Sequence, residues 1–151
     1  MTAEAGHFAL ILALLLAVAQ ATLPLLGARR NSGPLMAVGA SASLGQFVLI
    51  LIAFLCLMAA YVGSDFTVRN VVENSHTAKP LLYRITGVWG NHEGSMVLWV
   101  LILALFGACV GAFGRNLPPS LKARVLAVQG MIGVAFLAFI LFTSNPFERV
   151  F

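Results

Sequence analysis

Four stretches of this chain, residues 8–27, 38–63, 96–114 and 125–142, contain no lysine, arginine, aspartate or glutamate. Each is close to the roughly 20 apolar residues a helix needs to cross the hydrocarbon core of a bilayer. A backbone in lipid must satisfy its own hydrogen bonds, so a single apolar segment of this length is expected to be helical. Composition agrees: 60% of the 151 residues are hydrophobic and 9% charged, against roughly 45–50% and 25% in soluble domains. A soluble domain of about 150 residues still exposes about a third of its unfolded surface, too much for this side-chain set. An ordinary cytosolic enzyme, a disordered regulator and a disulfide scaffold are excluded. The expected fold is an all-α integral membrane protein with four transmembrane helices and one long loop, residues 64–95.

The net charge of +4 suggests nucleic acid until the charges are placed against the membrane. The first connection, GARRNSGP, carries Arg29 and Arg30; the third, GRNLPPSLKAR, carries Arg115, Lys122 and Arg124; neither holds an acid. Loop 64–95 balances Arg69, Lys79 and Arg84 against Asp65, Glu73 and Glu93. By the positive-inside rule the first and third connections are cytoplasmic, and loop 64–95 and both termini lie outside. The basic charge is therefore an orientation signal, and no nucleic-acid partner is expected. The first apolar run is not a cleaved signal peptide, because Glu4 precedes it and the positive pair follows it. Cys56 and Cys109 fall within apolar stretches with no CxxC spacing, so they are expected to be packing residues.

The outer loop carries what chemistry there is. Connections this long are usually functional or disordered, and its Phe66, Val71, Leu82, Tyr83 and Trp89 argue against disorder. Asp65, beside Phe66, suits a cap or a partner for Arg69 or Arg84. WGNHEGS, Trp89 to Ser95, reads in two ways. As architecture it starts a helix: Asn91 or Ser95 caps it, Glu93 favours its N-terminus, Gly90 and Gly94 permit positive φ or close approach, and Trp99 stacks one turn beneath Trp89. As a site it offers His92 as ligand, proton relay or hydrogen-bond donor on an aromatic platform that suits a flat anionic cofactor such as haem. His76 reads as solvated and His7 as interfacial. Gly107, Gly111, Gly114, Gly130 and Gly133 mark close helix contacts. The absence of intramembrane charge disfavours an ion-coupled transporter.

EAGHFALILAL, SDFTVRNVVENSHTAKPLLYRITGVWGNHEGSMVLW and LFTSNPFERVF, in this order, resemble the N-terminal part of the CcmF family, with the nitrite-reductase relative NrfE similar. That family is the haem lyase component of cytochrome c maturation. The resemblance implies a bacterial inner-membrane protein with loop 64–95 in the periplasm. It implies haem as cofactor, of the b type. The implied partners are a CcmE-like haem chaperone, CcmH- and CcmI-like apocytochrome-handling proteins, and apocytochrome c. Full members also carry a Trp-rich periplasmic segment flanked by histidines, and transmembrane histidines that hold haem b. No such Trp-rich stretch stands in this chain, so the haem ligands are expected outside it and the chain is expected to be a fragment or one piece of a split protein. Thioether-forming lyase activity is then a property of the full protein or complex. What carries over is Asp65 and Phe66, with Trp89, Gly90, His92, Glu93, Gly94 and Ser95; within this set Trp89 and His92 are the candidate haem-contacting residues. The alternatives are a small membrane scaffold that binds a partner through the outer loop, and a small transporter subunit.

Overall fold

A computed structural model describes residues 2–30, 33–74, 78, 80–114, 116, 118–143 and 145–148, with the side chains of Thr2, Leu35, His92 and Pro119 outside that description. Six helices follow one another: α1 (Thr2–Arg30), α2 (Gly33–Val62), α3 (Arg69–Asn74), α4 (Leu81–Gly87), α5 (His92–Phe113) and α6 (Pro119–Phe142). No strand occurs among the described residues. Four of these helices, α1, α2, α5 and α6, are long and apolar enough to cross a membrane, and the chain is a multi-pass membrane protein. The 64–95 stretch is not an open loop: α3 and α4 occupy much of it, and α5 begins at His92.

The four long helices form a bundle in the cyclic order α1, α2, α5, α6, with α2 also touching α6 across the middle. Leu10, Ile50, Leu57, Tyr61, Leu137 and Ile140 are fully buried at its centre. Only 33–39% of each span is buried within the bundle; the outward residues, such as Leu15, Leu55, Phe106 and Phe142, are large and apolar. In water such a surface would aggregate; in lipid it is solvated.

Glycines set how closely the helices approach. A Cβ on Gly130 would lie 2.8 Å from the Ala21 backbone nitrogen, and one on Gly111 would lie 3.2 Å from Ala40 Cα. These two mark α6 against α1 and α5 against α2. Gly107 and Gly133 instead make room for polar side chains: their Cβ atoms would lie 2.6 Å from Gln129 Cδ and 2.9 Å from Gln46 Nε2. Gly114 serves as the C-cap of α5. Gln20 Nε2 donates to the Leu126 carbonyl at 2.8 Å and to Gln129 Oε1, and Gln129 Nε2 donates to the Leu103 carbonyl at 2.9 Å. The glutamines thus form a polar rung from α1 through α6 to α5.

Local hydrogen bonds fix the helix ends. Val62 ends α2, and Ser64, at φ 52°, is the non-glycine residue with positive φ among the described residues. Asp65 N–H returns to the Ala60 carbonyl at 2.9 Å and Ser64 N–H to the Tyr61 carbonyl at 3.2 Å. This is the paired closure of a Schellman motif. Arg84 Nη1 donates to the Val62 carbonyl at 3.3 Å, and Lys122 Nζ to the Gly111 carbonyl at 3.0 Å. Both place a cation on a helix C-terminus, where the macrodipole favours it.

Candidate functional site

One end of the bundle gathers the N-terminus of α1, the short helices α3 and α4, the start of α5 and residues 145–148 after α6. Its geometry centres on Asn91. Asn91 has extended backbone and caps α5: its Oδ1 accepts from Gly94 N–H at 2.8 Å. Its Nδ2 donates to Tyr61 Oη at 2.9 Å, to the Gly87 carbonyl at 2.9 Å and to the Val88 carbonyl at 3.2 Å. Tyr61 is fully buried, and its hydroxyl donates onward to the Asn70 carbonyl at 3.2 Å. One amide and one phenol thereby tie α2, α3, the end of α4 and the start of α5 together. A buried phenol needs such a partner. A tyrosine near the end of an otherwise apolar helix was the available signal for it, and sequence reasoning passed it over.

Gly94 is required here for close approach. A Cβ at this position would stand 1.5 Å from the Val88 carbonyl oxygen. Neither Gly94 nor Gly90 has positive φ, so the expected left-handed conformation is not the reason for either glycine. Gly90 has its nearest neighbour at 3.5 Å, an ordinary contact.

Trp89, held by this tie, stacks on Phe54 of α2 with ring centroids 6.3 Å apart and planes at 21°. The ring contact is with Phe54, not with Trp99 beneath it. Trp89 and Trp99 instead both line one cleft of about 310 Å³, with Gly90, Asn91, Ser95 and Met96. His92 is the first residue of α5, but its side chain lies outside the description, as does the whole of His76. His7 falls inside α1, which starts at Thr2; its Nδ1 lies 3.3 Å from Asn145 Nδ2.

Asp65 closes the turn after α2: its Oδ1 accepts from the Thr67 N–H at 3.1 Å and from the Thr67 hydroxyl. Phe66 beside it is exposed. Glu93 stands in the first turn of α5, where the helix dipole favours an acid. It lines a polar hollow of about 210 Å³ with Arg69, Glu73 and Glu148. Arg69 Nε meets Glu73 Oε1 at 3.0 Å and Arg69 Nη1 meets Glu148 Oε1 at 3.6 Å. The hydrogen bond that Arg69 donates to Glu73, then the charges of Glu73 and Glu148, hold the guanidinium above its ordinary pKa. Arg69 N–H also donates to the Glu148 carbonyl at 2.8 Å, pinning the segment after α6 to α3. Phe147 of that segment is buried, inserted beside Gly6. Among the described residues no group of three or more His, Cys, Asp or Glu is placed to hold a metal ion. Cys56 is half-buried and Cys109 exposed on the apolar surface, both as free thiols.

Fold and site together define a multi-pass helical membrane protein with an aromatic cleft and a hollow of paired charges at one end, and its relatives are cytochrome c-type biogenesis proteins. The chain is homologous along its whole length to a segment of the CcmF family. It is 64% identical over 150 residues to cytochrome c-type biogenesis protein ccl1 of Rhodobacter capsulatus, covering 99% of this chain and 23% of that protein. It is 60% identical over 150 residues to CycK of Bradyrhizobium diazoefficiens, again covering 99% and 23%. In three dimensions it is similar to the solved cytochrome c haem lyase CcmF, with a TM-score of 0.92 and 29% identity over 98% of this chain and 25% of that one. The chain thus spans about a quarter of the length of the relatives it matches. No family model matches it.

The solved relative is named a haem lyase, and the fit of haem to the cleft depends on what lines it. Among the described residues its lining offers two indoles and the Met96 thioether, with no imidazole and no cation for a propionate; the His92 side chain lies outside that description. These residues fit one wall of a flat aromatic ligand and do not make a complete iron site.

Proposed function

We propose that this chain forms the helical bundle part of a haem lyase of cytochrome c maturation, acting within a larger protein or complex in a bacterial inner membrane. In this reading the Asn91 end faces the periplasm, and the Arg29 end, whose two connections carry cations without acids, faces the cytoplasm. The observation that carries the reading is the agreement of sequence and fold with cytochrome c biogenesis proteins along the whole chain. The Trp89–Trp99 cleft is then a wall against which haem, or the haem-bearing face of a partner, is held, with the ligating residues supplied from elsewhere. Asn91 and Ser95 line that cleft, and His92 and Glu93 stand between them in sequence at the start of α5. Asp65 and Phe66 shape the neighbouring turn. A CcmE-like chaperone, CcmH- and CcmI-like proteins and apocytochrome c are the partners this end would meet.

The test is a segment exchange. This chain replaces the matching quarter of ccl1 in a strain lacking that gene, and haem-stained c-type cytochromes are measured. The exchange is expected to restore them. Trp89→Ala with Trp99→Ala, and separately His92→Ala, are expected to lower them while the membrane level of the protein holds. An exchanged protein that accumulates normally yet yields no c-type cytochrome overturns the proposal. Undiminished maturation in both variants removes the cleft from it.

A further inference from the structure

At the opposite end of the bundle, the outer face of α1 has a different shape and charge. Thr22, Leu25, Leu26 and Arg29 stand at positions i, i+3, i+4 and i+7, so they lie on one helix face, over about 10 Å. With Met131 of α6 they line a groove of about 320 Å³. The groove arises at the crossing where Gly130 brings α6 against the Ala21 and Gln20 backbone, which leaves the side chain next to it, Met131, half out of the contact. Its walls are almost wholly apolar, and it ends on the exposed guanidinium of Arg29 in the last turn of α1.

We infer that this groove is a binding site for an anionic phospholipid, with one acyl chain along Leu25, Leu26 and Met131 and the phosphate on Arg29. Two observations choose this occupant. The first is the amphiphilic shape, an apolar channel opening onto one cation at the level where the span ends. A guanidinium offers paired donors that match phosphate oxygens. The second is charge: Arg29, Arg30, Arg115, Lys122 and Arg124 lie in or beside the two connections at this end, while Glu4, Asp65, Glu73, Glu93 and Glu148 all lie toward the other. An anionic headgroup therefore meets no competing carboxylate. Basic pockets between transmembrane helices recognise anionic lipid headgroups on the same grounds.

The experiment is native mass spectrometry of the whole chain, exchanged in detergent against phosphatidylglycerol or phosphatidylcholine of identical acyl chains. The wild type is expected to keep phosphatidylglycerol about fivefold better. Arg29→Gln is expected to abolish that preference and Arg29→Lys to retain most of it. Arg30→Gln, outside the groove lining, is expected to leave it in place, and Met131→Trp to reduce retention of both lipids by filling the channel. Circular dichroism establishes that each variant keeps its helices; the wild-type comparison stands without any variant. Equal retention of the two lipids by the wild type overturns the inference, as does an equal loss in Arg29→Gln and Arg30→Gln, which marks diffuse attraction to the basic end. A dimer peak that displaces the lipid adduct also overturns it, by making a second copy the occupant.

Discussion

A methyl group at position 94 has nowhere to go. The Val88 carbonyl oxygen would stand 1.5 Å from it, and that carbonyl is backbone, fixed in addition by the Asn91 amide. Gly94→Ala is therefore expected to destabilise the bundle by about 3 kcal/mol. Gly90→Ala, four residues earlier in the same motif, has ordinary contacts and is expected to stay within about 0.5 kcal/mol of wild type. Unfolding in a graded SDS titration distinguishes the two. The sequence WGNHEGS presents both glycines alike, since composition cannot say which of two neighbouring glycines faces a carbonyl. Ser64 makes the complementary point. It holds a left-handed conformation that costs most residues about 1–2 kcal/mol, and its buried hydroxyl has no hydrogen-bond partner among the described residues. Nothing in SDF marks that residue, rather than Gly63 before it, as the one that turns the chain.

At the scale of elements, Asn91 does two jobs that can be separated. Asn91→Ser keeps a good helix cap but loses three donated bonds, to Tyr61, Gly87 and Val88. It is expected to cost about 1–2 kcal/mol, read in the same titration. Tyr61→Phe leaves the cap untouched and deprives the Asn70 carbonyl and the Asn91 amide of their shared partner. It too is expected to cost about 1–3 kcal/mol. The double variant is expected to lose less than the sum, because both remove the same bond. Capping by Asn91 was legible, being a local matter of an Asn before a helical run. The tie to Tyr61 was not, because it joins residues 30 apart through a connection whose own helices, α3 and α4, are too short to show a period. For the same reason the outer segment read as a loop. The four spans were legible because length and the absence of charge suffice for them, whereas their ends depended on caps at Asn91 and Ser64.

For the whole molecule, the glutamine rung joins three helices in a low-dielectric interior. Gln20→Leu removes the bonds to Leu126 and Gln129 together and is expected to lower stability by about 1 kcal/mol. Gly107→Ala presses on the Gln129 side chain and Gly130→Ala on the α1 backbone; the second is expected to be the more damaging, since a backbone cannot rotate away. Orientation has its own measurement. With Cys56 and Cys109 replaced by alanine, a cysteine at Ala78 is expected to react with an impermeant maleimide in intact cells, and one at Asn116 only after lysis. The reverse pattern refutes the proposed orientation.

The separation of charge between the two ends also acts on the field across an energised membrane. A membrane potential, negative inside, lowers the energy of each cation placed on the inner side by roughly 2.3 kcal/mol per 100 mV. In the proposed orientation, five cations without an acid at one end therefore make the bundle a dipole that the resting potential itself aligns. Cells that insert the chain while depolarised lose that torque, and inverted molecules should then accumulate.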